Sequence, residues 1–257
     1  MSDQPDNRSG SSGVSGRLAS WLESIASKLP VKTGRRRRIA PPPAPELLHQ
    51  AARCYANARW DDDACRVFEQ LGEDRRAAHF HELQERWEQA AACYARAGDW
   101  QGAARCYLRD NRPLDAAECL MKAGQTLQAA WTLADLAHHF RRAEFTARQF
   151  AAESVPDRLA VELIIARCEA GAGSSTEAAK RLKGAVTQFR DLPVDPRRQQ
   201  LNEWAFVVAE ALHRPDLMAT IHAASVTSGL LRASEQWERW AMEFFGDTTG
   251  VPPPDIE

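Results

Sequence analysis

The chain has 257 residues, 44% of them hydrophobic and 26% charged, with a formal net charge of −2; these are the proportions of a soluble globular protein. The near-neutral balance provides neither a global basic field for nucleic acid nor an acidic excess, and no run approaches the roughly 18 apolar residues of a membrane span. Six cysteines without dense pairing suit a reducing compartment, and Met1 to Asp6 lack the charged start and apolar core of a secretory signal. The expected location is therefore cytoplasmic, and the Ala- and Arg-rich composition points to a bacterial source.

Residues 1–13 are polar and Gly/Ser-rich, and are expected to be disordered. Residues 14–30 read as one amphipathic helix closed by Pro30. Leu18, Trp21, Leu22, Ile25 and Leu29 share a face, and Arg17, Glu23, Ser24 and Lys28 lie away from it. Leu18, Trp21, Leu22 and Ile25 are the candidate docking face, since a helix of this length is not stable alone. Residues 31–45 form a basic, Pro-rich linker in which Arg35, Arg36, Arg37 and Arg38 precede an extended spacer, Pro41-Pro42-Pro43-Ala44-Pro45. The arginine run reads either as a solvated linker held open by self-repulsion or as a contact for an acidic protein or an anionic membrane surface. The lack of interleaved aromatics argues against nucleic acid.

From residue 46 to 150 the chain repeats itself every 13 residues. Each copy has two small residues, a spacer and two bulkier residues, as in Ala51-Ala52-Arg53-Cys54-Tyr55, Ala90-Ala91-Ala92-Cys93-Tyr94 and Ala103-Ala104-Arg105-Cys106-Tyr107. Across eight copies, fourteen of the sixteen leading positions are Ala, with no insertion or deletion. A fixed short period means stacked units. Within one copy Trp87, Ala90, Ala91, Tyr94 and Ala97 recur at three- and four-residue steps, the pattern of an amphipathic helix. Gly98-Asp99 then supplies a positive-φ stop and the next cap. Each unit is therefore a helix of about ten residues, some 15 Å long, followed by a tight turn. Such helices must bury a face on their neighbours, and tight turns send them back antiparallel, so stacked hairpins give an α-solenoid. Alanine at the leading positions allows close approach of helix axes, while Trp60, Trp87 and Trp100 wedge the helix starts.

Cys93-Tyr94-Ala95-Arg96-Ala97-Gly98-Asp99-Trp100 and Cys106-Tyr107-Leu108 resemble the tetratricopeptide-like superfamily of helical hairpin repeats, most closely its short-helix members in vesicle-coat and intraflagellar-transport subunits and soluble attachment proteins. The resemblance covers about 100 residues. It implies the architecture but no particular partner, because the period departs from the 34-residue tetratricopeptide unit and that repeat's signature is absent.

Residues 151–246 follow a slower rhythm of longer, tetratricopeptide-like helices. Asp157 to Ala170 is apolar nearly all round and should be a central buried helix. Gly171-Ala172-Gly173 is a turn, and Ser174-Ser175-Thr176-Glu177 reads as a capping box. That box opens a helix burying Ala178, Leu182, Ala185, Val186 and Phe189. Asp195-Pro196 is a cap followed by Pro at the first helical position, and it precedes a face of Leu201, Trp204, Ala205, Val208, Ala209 and Leu212. Pro215 to Ser228 and Ala233 to Phe245 are two further helices, the last anchored by Trp237, Trp240, Phe244 and Phe245. Residues 247–257 are a tail. Strand-like alternation is lacking, so the expected fold is all-α.

Cys93, Cys106 and Cys119 inherit their spacing from the repeat and contain no CxxC pair, so they read as small core residues and not as metal ligands. His79/His81 and His138/His139 do not share helix faces; His81 replaces the aromatic of its copy and reads as a core or groove residue. No nucleophile elbow, phosphate loop, HExxH or kinase signature occurs, so neither catalytic residue, metal nor cofactor is expected. The expected function is a non-enzymatic scaffold or adaptor binding a protein partner. The alternative is a peripheral membrane adaptor anchored by helix 14–29 and Arg35–Arg38, and the third reading is an enzyme with a site scattered over 155–246. If alternate units line one face, that face carries Arg53, Arg105, Arg109 and Trp131, residue types enriched at interface hot spots.

Overall fold

The computed structural model describes residues 45–57 and 60–227, together with positions 239 and 242. They belong to one compact unit. The docking face Leu18, Trp21, Leu22 and Ile25, the arginines 35–38 and the aromatic anchors Trp237, Trp240, Phe244 and Phe245 lie outside the described residues. Arg239 and Met242 are helical.

The described residues form twelve α-helices and no strand. The short helices are α1 (Pro45–Asn57), α2 (Asp61–Gln70), α3 (Asp74–Leu83), α4 (Trp87–Arg96), α5 (Trp100–Arg109), α6 (Pro113–Lys122), α7 (Thr126–Asp135) and α8 (Phe140–Gln149). The longer ones are α9 (Val155–Gly171), α10 (Ser175–Gln188), α11 (Pro196–Ala211) and α12 (Pro215–Thr227). Consecutive helices pack on one another along the whole run. Alanine makes this possible: Ala64, Ala77, Ala78, Ala90, Ala91, Ala103, Ala116, Ala129 and Ala130 are all 0% exposed.

The turns repeat as closely as the helices. Glu73, Arg86, Asp99, Arg112 and Gln125 each donate a backbone N–H to the carbonyl five residues back, at 2.8–2.9 Å, the six-to-one bond of a Schellman stop. The residue just before each donor takes the left-handed conformation: Gly72, Glu85, Gly98, Asn111 and Gly124, with φ between 56° and 76°. Asp99 also caps α5, its Oδ1 accepting from Gly102 N at 2.9 Å.

Neighbouring helices are antiparallel, because the start of one meets the end of the next. Asp74 pairs with Arg96 at 2.7 Å; the Arg109 guanidinium lies 4.8 Å over Trp87 and the Lys122 ammonium 4.6 Å over Trp100. The expected tryptophan wedges at 87 and 100 are therefore half-buried and covered by a cation. Trp60, by contrast, is exposed and stacks on Tyr55. Helices two apart also touch: Arg86–Asp62 at 2.7 Å, Arg112–Glu88 at 2.6 Å and Arg142–Glu118 at 3.5 Å join residues 24 apart. Two layers result, α1, α3, α5 and α7 in one and α2, α4, α6 and α8 in the other.

Helix α9 is central, packing against α7, α8, α10 and α11, with Leu163, Ile164 and Ala166 fully enclosed. Its start is the capping box of the region: Ser154 Oγ accepts from Asp157 N, and the Asp157 carboxylate accepts from Ser154 N. The box expected at Ser174 does not form, since Ser174 makes no side-chain cap bond; the serine begins its helix but leaves the amides uncapped. Asp195 does cap α11, accepting from Arg198 N at 2.8 Å ahead of Pro196. Gly171 ends α9 inside the helix and not in the turn, and a methyl group there would overlap the Phe140 ring. Gly173, at φ 86°, makes the turn.

Candidate functional site

Two places on the repeat concentrate chemistry. The first is a row of basic side chains. Arg53 on α1, His79 on α3 and Arg105 on α5 occupy the same repeat position, 26 residues apart, and all three are exposed. Arg105 is 63% exposed and its guanidinium comes within 3.8 Å of Glu82. Arg109, one turn further along α5, is exposed and oriented by the Trp87 ring beneath it. The equivalent positions of the other layer are Arg66, Ala92, Glu118 and Glu144. Their charges are matched nearby, Arg66 by Asp63, Glu118 by Arg142 and Glu144 by Arg148. At this position the first layer thus carries Arg, His and Arg with no acidic side chain, whereas the other carries Arg, Ala, Glu and Glu.

Trp131, the next position in that row, does not join it. It is 8% exposed, because Trp204 of α11 lies face to face with it, ring centroids 4.4 Å apart. The side chain assigned to a partner surface by the repeat is a core residue.

The second place is a three-helix cluster. Glu69 near the end of α2, His81 on α3 and Cys93 on α4 converge so that one potential ligand atom from each lies within 4.8 Å of the others. Glu69 Oε1 is 3.2 Å from His81 Nε2 and 3.5 Å from Cys93 Sγ. His81 and Cys93 are buried, and the carboxylate side is open to solvent. Arg96 borders the cluster, with a guanidinium nitrogen 3.1 Å from Cys93 Sγ and 3.9 Å from Glu69, and is itself held by Asp74. One repeat later the same geometry returns with a phenol in the middle: Tyr94 Oη donates to Glu82 Oε2 at 3.0 Å, and Cys106 Sγ lies 3.3 Å from Glu82 Oε1. In the following copy Ala95 replaces the glutamate.

The cysteines are core residues as expected: Cys65, Cys93, Cys106, Cys119 and Cys168 are buried and unpaired. Burial pushes the Cys93 thiol up to about 11 and that of Cys106 to about 12, each reinforced by its glutamate. Unligated, these thiols are protonated at neutral pH, which argues against nucleophilic work. The convergence of Cys93 with His81 and Glu69 is not apparent from motif spacing, since the three come from separate helices. The signal that marks it is arithmetic: the repeat places residues n, n+12 and n+24 side by side, and n = 69 gives Glu, His and Cys.

Comparison with family models, curated proteins and solved structures finds no match. Among the described residues no helix is long and apolar enough to cross a membrane.

Proposed function

We propose that this chain is a non-enzymatic helical-repeat scaffold of the tetratricopeptide-like, short-helix kind, which binds an acidic protein partner along α1, α3 and α5. The observation that carries this reading is the exposed row Arg53, His79 and Arg105, extended by Arg109, on the layer whose counterpart carries Glu118 and Glu144 at the same position. A helical stack places equivalent positions at regular intervals of roughly 10 Å, so an extended segment with spaced carboxylates can meet several in turn. Arginine serves such contacts because its planar fork bonds carboxylates bidentately.

The test is affinity capture with the full chain, comparing wild type with the triple charge reversal Arg53→Glu, Arg105→Glu, Arg109→Glu, read by mass spectrometry. Proteins retained by wild type and lost from the reversal, at unchanged melting temperature, are those bound by this face. An identical set on both would move the binding surface elsewhere.

A further inference from the structure

We propose that Glu69, His81 and Cys93 form a binding site for a zinc-class divalent ion. The three residues supply one oxygen, one nitrogen and one sulfur, a borderline-soft set suited to Zn²⁺. With Zn–O and Zn–N of about 2.0 Å and Zn–S of about 2.3 Å, tetrahedral coordination separates O from N by about 3.3 Å and O from S by about 3.5 Å. The cluster already holds these two pairs at 3.2 Å and 3.5 Å and all three ligand atoms within 4.8 Å of one another, so side-chain adjustment between His81 and Cys93 is what an entering ion requires. Solvent on the Glu69 side leaves room for a water as fourth ligand.

The surroundings are compatible with this charge. Metal coordination deprotonates a thiol outright, so binding releases the Cys93 proton. The ion and Arg96 then face Glu69, Asp74 and the Cys93 thiolate, three positive charges against three negative. The Arg96 side chain is half exposed and can turn outward while keeping its Asp74 partner. In the metal-free protein His81 Nε2–H donates to the Glu69 carboxylate; an ion bound at Nε2 displaces that proton, and Nδ1, buried without a hydrogen-bond partner among the described residues, is the ring atom left to carry it.

The neighbouring cluster serves as a control within the same molecule. Glu82, Tyr94 and Cys106 repeat the arrangement with a phenol in place of the imidazole, and a neutral phenol is a poor ligand for zinc. His81→Tyr therefore copies an arrangement that this fold already accommodates, and Tyr94→His copies the proposed site into the next unit.

The experiment uses the full chain, reduced and freed of metal by chelation, titrated with Co²⁺ and with Zn²⁺. Wild type is expected to bind one equivalent and to show a thiolate-to-cobalt charge-transfer band with the visible bands of tetrahedral cobalt. His81→Tyr should keep its circular dichroism spectrum and bind at least about 100-fold more weakly, since even residues behind the ligands contribute 10- to 100-fold. Tyr94→His should take up a second equivalent. Absence of the charge-transfer band in wild type, unchanged affinity in His81→Tyr, or a single equivalent in Tyr94→His would each overturn the proposal.

Discussion

Trp131 and Trp204 lie face to face, their planes 3° apart and their ring centroids separated by 4.4 Å. One ring comes from the short-helix repeat and the other from α11, so this stack joins the two halves of the described chain. Removing a buried tryptophan costs about 3–5 kcal/mol. In a stack of neighbour-to-neighbour contacts the loss should be local. Trp204→Ala is therefore expected to speed hydrogen exchange through α9 to α12 far more than through α3 to α5. Uniform acceleration along the chain would show that the halves unfold as one.

Ala90, Ala103 and Ala116 are fully enclosed between helices. Replacing any one with Leu should cost about 1–3 kcal/mol by overpacking, measured as a lower urea midpoint at constant slope. If all three variants melted like wild type, the alanines would not set the helix spacing.

Two serines make a paired comparison. Ser154→Ala removes one half of a capping box and should lose about 1 kcal/mol, whereas Ser174→Ala removes no cap bond and should stay within about 0.5 kcal/mol of wild type. Chemical denaturation of the two variants decides it, and equal losses would count against the assignment of the box to α9.

Glu85 sits at φ 56°, a conformation costing a residue with a side chain about 1–2 kcal/mol. Glycine removes that strain and gives back part of the gain as unfolded-chain entropy. Glu85→Gly should stabilise by about 0.5–1 kcal/mol, raising the melting temperature. Asn111→Gly should gain less, because asparagine tolerates the left-handed region better.

Stability should fall in alkali. Burial raises Cys65 and Cys93 to about 11, and Cys106 and Cys168 to about 12, from 9.0 in the free thiol. Above pH 9 the unfolded chain loses these protons while the fold keeps them. The unfolded state then binds fewer protons, and unfolding becomes easier as pH rises toward 11–12. Urea titrations of metal-free protein at pH 8, 9.5 and 10.5 should show the decline, and Cys106→Ala should make it shallower. A flat profile would mean that the thiols ionise equally well folded.

The architecture was legible because its cause is local. Alanine pairs at a 13-residue period can bury only as helices against helices, and Gly72, Gly98 and Gly124 mark the turns. Glu85 fills the same turn position with nothing in its chemistry to announce a positive φ; the period alone reveals it. Trp131 departs from its expected place for the opposite reason: repeat position predicts an exposed side chain, and the tryptophan that covers it, Trp204, arrives much later in the chain. The sequence pattern of a capping box is stronger at Ser174, but the box forms at Ser154, where Asp157 is in reach. His81 reads from its repeat position as a core or groove residue and is buried, yet its proximity to Glu69 and Cys93 depends on how three helices lean together. No pattern within one helix encodes that.

The alternation of helix direction has a consequence for changes in chain length. Excising one 13-residue unit reverses the up-or-down sense of everything downstream and moves later positions to the opposite layer, so Arg53 and Arg105 would part company. Excising two leaves every later helix pointing as before. Tandem duplication obeys the same parity, and viable length variants of this protein should differ by multiples of 26 residues.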